Sequence, residues 1–217
     1  MGPLPSGSPS GDHVFVIAPG RLVVLNGTSS AGKTTLASAF RDERAAAGEF
    51  WLLVGIDDVL SKLPAQWLDL GLEEGTGVKS GEGMRFESTG DGLRLRIGSV
   101  CRQLLDVYHR SVATAVLAGL NVIVDDVVVD RATLESWRRT LDGLNPTWVA
   151  VRFAGEIASR RERERGDRPI GMAAAQQDTI HHDIDYDFEI DTGILRPAEA
   201  HRVLNRGLGL ADSHGAG

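Results

Sequence analysis

The segment Gly27-Thr-Ser-Ser-Ala-Gly-Lys-Thr34 constrains the fold of this chain more than any other stretch of the sequence. It matches the pattern G-x-x-x-x-G-K-[ST], in which glycines let the backbone wrap closely around phosphate oxygens. An apolar run at residues 21–26 precedes it, and apolar residues at helical spacing follow it up to Gly48. This arrangement predicts a phosphate-binding loop, with the free N–H groups of a helix N-terminus directed at the phosphates.

Individual residues of this loop have expected chemical roles. Lys33 is predicted to reach the β- and γ-phosphates, and the Thr34 hydroxyl to ligate Mg²⁺. The other predicted nucleotide contacts come from the loop and the residue after it: Gly27, Ser29, Ser30, Ala31, Gly32 and Thr35. The alternative, a glycine-rich structural turn, is disfavoured by the strand before the loop and the helix after it.

A second acidic element supports this prediction. The apolar run at residues 122–124 ends in Asp125 and Asp126. In phosphate-loop proteins a carboxylate at the end of such a strand holds the Mg²⁺ shell, so Asp125 is our second candidate for the metal site. Adjacent residues in an extended chain point to opposite sides, which leaves the role of Asp126 open. The alternative is that these acids only cap the following turn.

Further apolar runs alternate with helical stretches, at residues 51–56, 148–153 and 188–190. Strands that alternate with helices predict an α/β fold of three layers around a mainly five-stranded parallel sheet, as in P-loop kinases. Residues 84–97 instead alternate with a period of two across a Gly-rich turn, which predicts an inserted β-hairpin. We therefore expect a single domain at 21–210, preceded by a flexible arm at 1–20 and followed by a flexible tail at 211–217. An insertion at about 71–98 interrupts the domain.

The second strand ends in Gly55-Ile-Asp-Asp58, at the sheet edge where ligands bind in open α/β folds. Transfer of a phosphoryl group to an alcohol uses a carboxylate that orients the hydroxyl and accepts its proton. Asp57 is our candidate for this base, and the role of Asp58 is open. The alternative is that the two acids cap a helix starting at Val59. The insertion follows the base in the chain and should therefore wall the acceptor pocket.

Five arginines crowd one short charged stretch: Arg160, Arg161, Arg163, Arg165 and Arg168. Such a stretch is usually a solvated helix with many ion pairs, an interpretation that suits Arg160 and Arg163. The Gly-Asp-Arg-Pro sequence at 166–169 breaks that helix and leaves Arg165 and Arg168 on a hinge. Because phosphoryl transfer needs cationic groups around the transferred phosphate, we predict a lid at about 155–170 in which both arginines are catalytic.

Composition and charge disfavour several other classes of protein. The formal charge of −7 argues against a general binder of nucleic acid or anionic membranes. No run approaches the roughly 18 apolar residues of a membrane helix. A single cysteine, Cys101, can make neither an internal disulfide nor a zinc cluster. The first residues lack the features of a signal peptide, so we expect a cytoplasmic protein, and a homo-oligomer is compatible with these features.

Taken together, the motifs resemble the chloramphenicol phosphotransferases, small P-loop kinases that phosphorylate a drug hydroxyl. The likeness covers residues 21 to about 192 and is carried by residues 25–34, 55–57, 122–127, 161–168, 171–174 and 186–192. Many families share the phosphate loop, but an Arg-Gly-Asp-Arg lid followed by Gly-Met-Ala-Ala is much narrower. The resemblance implies ATP and Mg²⁺ as cofactors, an acid matching Asp57 as the base, and Lys33 on the phosphates. It also implies lid arginines matching Arg165 and Arg168, with Arg161 of the same motif beside the nucleotide.

The chain departs from the family pattern in the acceptor region. Asp58 stands where the family has a serine after the base, and residues 67–97 are longer and richer in Gly and Glu. We therefore expect an acidic, roomier pocket that suits a larger or sugar- or nucleoside-bearing antibiotic. The leading hypothesis is an ATP-dependent O-phosphotransferase that acts on an antibiotic hydroxyl and gives self-resistance.

Two alternatives remain open. A metabolic kinase of the same architecture would act on a nucleoside, a sugar acid or a shikimate-like acceptor. An anionic acceptor is disfavoured because residues 57–80 offer only Lys62 and Lys79 as basic side chains. A nucleotide-binding regulatory switch is the other alternative, although the Asn-Lys-x-Asp guanine reader of a GTPase is missing from the sequence.

Overall fold

The computed structural model describes residues 17–69, 82–89, 92–153 and 180–211. In chain order these residues form β1 (Leu22–Asn26), α1 (Lys33–Ala46), β2 (Trp51–Gly55), α2 (Ile56–Leu60), a 3-10 turn (Ala65–Trp67), β3 (Leu68–Asp69), β4 (Met84–Thr89), β5 (Gly92–Ile97), α3 (Ser99–Leu117), β6 (Asn121–Asp126), α4 (Arg131–Thr140), β7 (Thr147–Arg152), β8 (Phe188–Asp191) and α5 (Pro197–Gly207).

The central sheet has five parallel strands in the order β2-β6-β1-β7-β8. The predicted α/β fold with a five-stranded parallel sheet is therefore confirmed. Because the strands are parallel, their carboxyl ends meet at one edge, where Asn26 of β1 lies in register with Asp126 of β6. This edge, called the carboxyl edge below, brings together the ends of β1, β2 and β6.

Helices cover both faces of the sheet and give the three predicted layers. On one face α1 and α5 enclose a buried cluster that includes Phe40 and Leu204. On the other face α3 and α4 enclose a second cluster that includes Val112 and Trp137. Burial of β1 on both sides explains why its sequence reads as a continuous apolar run instead of an alternating one.

The predicted hairpin forms a small second sheet, in the order β3-β4-β5. Strands β4 and β5 are antiparallel, as the alternation indicated, whereas the parallel strand β3 was not predicted. The Gly98 N–H donates to the Gly83 carbonyl at 2.7 Å, just before α3 begins. At the other end of α3, the Gly20 N–H donates to the Val116 carbonyl, next to the start of β1. Helix α3 thus starts at the carboxyl edge, and the hairpin joins it there.

Several predictions fall on other parts of the chain. The first 16 residues of the arm, residues 71–81, 90 and 91 of the insertion, the lid at 155–170 and most of the tail lie outside the described residues. None of the helices within the described ranges is long and apolar enough to cross a membrane.

Candidate functional site

The predicted phosphate loop, residues 27–34, connects β1 to α1 at the carboxyl edge. A Cβ atom on Gly27 would lie 2.3 Å from the Val151 carbonyl oxygen of β7, so only glycine fits this position. Ser30 (φ 64°) and Gly32 (φ 84°) adopt left-handed conformations that turn the chain sharply into α1. The first residues of α1 therefore line a cavity, to which the helix N-terminus presents N–H groups and partial positive charge.

Lys33 is held within this loop. Its side chain is buried, and Nζ donates to the carbonyl oxygens of Gly27 and Thr28, both at 2.9 Å. The same ammonium lies 3.6 Å from the Asp125 Oδ1 atom. The Lys33 ammonium, which is predicted to bind the β- and γ-phosphates, thus lies at the wall of the cavity. The Asp125 carboxylate partly balances its charge.

Thr34 and Asp125, the two residues predicted to hold the metal, are brought together. The Thr34 hydroxyl donates to the Asp125 Oδ2 atom at 2.5 Å. Hydroxyl and carboxylate oxygens are the ligands that Mg²⁺ prefers, so this pair fits the predicted cofactor. Within the described ranges there is no group of three or more metal-ligating side chains. A Mg²⁺ ion bound with a nucleotide does not require one, because phosphates and waters supply most of its ligands.

Asp126 faces the opposite direction from Asp125. It is 1% exposed, and its carboxylate accepts hydrogen bonds from the Trp137 Nε1 atom at 2.6 Å and the Val127 N–H at 2.7 Å. Burial raises the pKa of Asp126 to about 6, although these hydrogen bonds oppose the shift. Asp126 therefore anchors α4 to the sheet, and the structure places it away from the cavity.

The two acids after β2 also differ. Helix α2 begins at Ile56, earlier than the predicted start at Val59, and no side chain caps it because its N-cap residue is Gly55. The capping alternative is thus not what the structure shows. Asp57 is exposed and lines the same cavity as Asp125. Asp58 folds back over Gly55, where its Oδ2 atom would lie 3.2 Å from a Cβ on that glycine.

The cavity has a volume of about 580 Å³ and two chemically different ends. The polar end is formed by the phosphate loop with Asp57 and Asp125. The other end, between α1 and α5, is lined by apolar side chains that include Leu36, Ala39, Leu195, Pro197 and Ala198. A flat, largely apolar ring such as a nucleobase fits this second end, which the sequence analysis did not identify.

Asn26 is a further residue that the sequence analysis missed. This buried side chain donates from Nδ2 to the Ile180 carbonyl at 2.8 Å and to the Tyr186 hydroxyl at 2.6 Å. Its Oδ1 atom accepts from the Val128 N–H at 2.9 Å. Asn26 thereby ties the start of the phosphate loop to two other segments of the carboxyl edge. Its position directly before Gly27 is the one sequence signal that points to it.

Thr192 supports the loop from the other side. Its hydroxyl donates to the Ala31 carbonyl at 2.7 Å, and its side chain lines the cavity. The three predicted lid residues, Arg161, Arg165 and Arg168, lie outside the described residues. The described site therefore consists of the phosphate loop, the acids Asp57 and Asp125, and the apolar end.

Comparison with known proteins agrees with this geometry. The family described as chloramphenicol phosphotransferase-like protein matches residues 20–208. Two Mycobacterium tuberculosis proteins, from strains CDC 1551 and H37Rv, carry the name "Putative O-phosphotransferase". Each is 36% identical to this chain over 191 residues, which cover 86% of this chain and 81% of the relative.

Several solved structures with a similar fold carry the name of a kinase. A sugar kinase from Janibacter sp. has a TM-score of 0.63 at 17% identity, and the match covers 92% of this chain and all of the other. The Mycobacterium tuberculosis APS kinase CysC, solved with AMPPNP and APS, has a TM-score of 0.60 at 14% identity. This match covers 88% of this chain and 99% of the kinase chain. A gluconokinase from Sinorhizobium meliloti has a TM-score of 0.55 at 16% identity, and the match covers 88% of this chain and 93% of the gluconokinase chain. These likenesses establish the P-loop kinase fold.

Proposed function

Because this chain belongs to the chloramphenicol phosphotransferase-like family and has the fold of a P-loop kinase, it is a phosphotransferase, and we propose that it uses ATP to phosphorylate a hydroxyl of an antibiotic. The observation that carries the proposal is one shared cavity. Lys33, Thr34, Asp125 and Asp57 all line this cavity, which supports a site that holds phosphates, a metal ion and an acceptor together.

The residues of the cavity divide the work of binding. Lys33 and the N-terminal N–H groups of α1 bind the β- and γ-phosphates. Thr34 and Asp125 would hold Mg²⁺, and the bound ion would neutralise charge that develops on the transferred group. The nucleobase lies at the apolar end, between α1 and α5. Loop residues from Gly27 to Thr35 complete the nucleotide contacts.

Asp57 acts on the acceptor. Its exposed carboxylate orients the acceptor hydroxyl and accepts its proton as the oxygen attacks the γ-phosphorus of ATP. The bond between the γ-phosphorus and the bridging oxygen breaks in the same step, and ADP leaves. The lid arginines Arg165 and Arg168 stabilise the charge on the phosphoryl group, with Arg161 on the nucleotide. The carboxylates of Asp57 and Asp125 line the cavity and would repel an anionic acceptor. They therefore support a neutral or cationic acceptor and disfavour an anionic metabolite. We further propose that the enzyme acts in the cytoplasm and gives resistance to its substrate.

The test is a screen of hydroxyl-bearing antibiotics, chloramphenicol included, with ATP and Mg²⁺. We expect ADP release that depends on the acceptor and a product heavier by one phosphate in the mass spectrum. Transfer to a sugar or nucleoside but to no antibiotic would establish the metabolic alternative. Nucleotide-dependent binding of a protein partner without any phosphorylated product would establish the regulatory switch.

A further inference from the structure

The side chain of Asn26, the last residue of β1, is fully buried and fully hydrogen-bonded. The amide nitrogen donates to the Ile180 carbonyl and to the Tyr186 hydroxyl, and the amide oxygen accepts from the Val128 N–H. The other four residues of β1 are apolar, as a strand buried on both faces favours. A primary amide supplies two N–H donors and an acceptor, which no apolar side chain can replace. The residue at position 26 is therefore explained by its hydrogen bonds and not by packing.

The bond to Val128 holds the phosphate loop against the turn after β6. Backbone pairing between β1 and β6 ends where Asn26 lies in register with Asp126. Beyond that point the Asn26 side chain makes the connection, because its Oδ1 atom lies 2.9 Å from the Val128 nitrogen. Asp125 and Val127 line the cavity on one side of this bond, and the phosphate loop lines it on the other. Asn26 thus joins the wall that holds the phosphates to the wall that carries Asp125.

The bond to Tyr186 fixes the orientation of the amide. Because the Asn26 Nδ2 atom donates to the Tyr186 hydroxyl, that hydroxyl directs its own proton to the His181 Nδ1 atom at 2.8 Å. Burial lowers the pKa of His181 to about 4, so its ring is neutral at pH 7 and Nδ1 can accept. Burial raises the pKa of Tyr186 to about 12, so the hydroxyl keeps its proton. The chain Asn26–Tyr186–His181 therefore has one arrangement of its protons at neutral pH.

The position of Asn26 also affects Lys33, because the carbonyl of the next residue, Gly27, accepts from the Lys33 Nζ atom at 2.9 Å. Phosphoryl transfer depends on the alignment of the two reactants, and a misplacement of about 1 Å can lower its rate by roughly 10²-fold. We propose that Asn26 is a positioning residue for phosphoryl transfer, which holds the phosphate loop at a fixed distance from the turn after β6, and that Tyr186 acts through it. This inference rests on the proposed function. Asn26 does not line the cavity, so it acts through the backbone and not by contact with ATP or the acceptor.

The first test is Asn26→Ala, with ATP–Mg²⁺ and chloramphenicol, or the alcohol from the screen that gives product. The kcat should fall about 10- to 100-fold, because the γ-phosphate and the acceptor hydroxyl are no longer aligned. The KM for ATP should change less than about 3-fold, because Lys33 and the N-terminus of α1 still bind the phosphates.

Asn205→Ala is the matched control. Asn205 is an equally buried asparagine, and its Nδ2 atom donates to Glu43, ten residues into α1 and away from the carboxyl edge. Both alanine variants should lower the Tm by about 2–8 °C, because both leave buried partners without a hydrogen bond. The kcat of Asn205→Ala should stay near the wild-type value, which separates positioning from stability.

A double-mutant cycle tests whether Tyr186 acts through Asn26. Tyr186→Phe removes one bond of the amide and should lower kcat about 3- to 10-fold. Adding Tyr186→Phe to Asn26→Ala should cause no further loss, because the partner of the hydroxyl is already gone. If Asn26→Ala does not fold, Asn26→Asp takes its place in the cycle. The aspartate keeps an acceptor for Val128 but loses both donors, so its kcat should also fall about 3- to 10-fold.

Four outcomes would overturn the inference. A wild-type kcat in Asn26→Ala, or in Asn26→Asp where only that variant folds, would show that the amide does not position the reactants. An equal fall of kcat in Asn205→Ala would attribute the loss to lower stability. Losses that multiply in the double variant would show that Tyr186 does not act through Asn26. If the wild-type protein binds ATP–Mg²⁺ but phosphorylates no alcohol, the proposed function itself is wrong and this inference fails with it.

Discussion

Adjacent carboxylates at the carboxyl edge have different surroundings. Two pairs of adjacent acids lie there, Asp57 with Asp58 and Asp125 with Asp126. The first member of each pair lines the cavity, and the second does not. In β6 the cause is the pleat of the strand, which directs Asp126 to Trp137 on the opposite side from Asp125. In α2 the cause is the helical turn, which rotates Asp58 back over Gly55. The roles of neighbouring acids are thus decided by the element that carries them.

Asp57→Asn should lower phosphoryl transfer by roughly 10²–10⁴, because the amide keeps the size of the side chain but cannot accept a proton. Asp58→Asn is the control and should cost much less, since that side chain folds away from the cavity. Steady-state kinetics of both variants with ATP and an accepted alcohol measure the difference. ATP affinity should barely change in either. A large loss of the phosphoryl-transfer rate in Asp58→Asn, with a near-normal rate in Asp57→Asn, would instead identify Asp58 as the base.

Lys33→Met should weaken binding of ATP–Mg²⁺ by about 10- to 100-fold, the size of a lost charge-assisted contact to phosphate. Methionine preserves the buried stem of Lys33, so the fold should persist and can be checked by circular dichroism. Lys62→Met is the matched control, because Lys62 is an exposed lysine outside the lining of the cavity. Isothermal titration with ATP–Mg²⁺ measures both variants, and equal affinities would contradict the assignment of the phosphate loop.

At the scale of elements, the start of α4 joins local and tertiary interactions. Asp130 is its N-cap and accepts from the Thr133 N–H at 2.9 Å. The same carboxylate pairs with Arg102 of α3, whose Nη1 atom lies 3.0 Å from Oδ1. Burial alone would raise the pKa of Asp130, but the hydrogen bonds from Arg102 and Thr133 outweigh it and lower that pKa. One side chain therefore starts a helix and fastens it to the neighbouring helix.

Asp130→Ala should lower the free energy of unfolding by about 1–2 kcal/mol, since it removes the cap. Asp130→Asn keeps a capping oxygen and loses only the charge, so it should cost clearly less. Urea denaturation of both variants measures the difference. Equal losses in the two variants would show that the ion pair with Arg102, and not the cap, provides the stability.

At the scale of the whole molecule, stability depends on pH through groups buried between α3 and α4. His109 is fully buried, its ring is stacked on Trp137 at 3.9 Å, and its Nδ1 atom lies 2.8 Å from the Ser136 hydroxyl. The Ser136 hydroxyl donates to Asp106, so it accepts from the His109 Nδ1–H. Burial lowers the pKa of His109 from 6.5 to about 4. The unfolded chain therefore binds a proton more readily than the folded protein between these pH values.

The sign follows from this difference. The contribution of His109 to stability is present above its unfolded pKa of 6.5 and is lost as the pH falls towards 4. Asp126, with a raised pKa of about 6, acts in the opposite direction, so the wild-type profile alone mixes the two groups. His109→Asn should reduce the loss of Tm between pH 6.5 and pH 4.5 relative to the wild type. Thermal melts across this pH range measure it, and parallel profiles would contradict a neutral buried His109.

Short-range patterns in the sequence were sufficient to predict the fold and part of the site. Burial on both faces makes the strands of a parallel sheet read as apolar runs, so all five strands were identified to within a few residues. The glycines and the lysine of the phosphate loop have conformational and chemical requirements that are visible locally. Lys33, Thr34, Asp57 and Asp125 were therefore predicted from type and position, and the structure brings all four to one cavity.

Contacts between distant segments were decided only by the tertiary structure. The apolar end needs α1 and α5 side by side, and Asn26 is recognised only by its bonds to Val128, Ile180 and Tyr186. The partner of β4 and the direction of Asp58 likewise depend on how elements meet. A linear sequence encodes periodicity and residue chemistry, both of which act over a few residues. Register and packing between segments more than a hundred residues apart arise only when the sheet assembles.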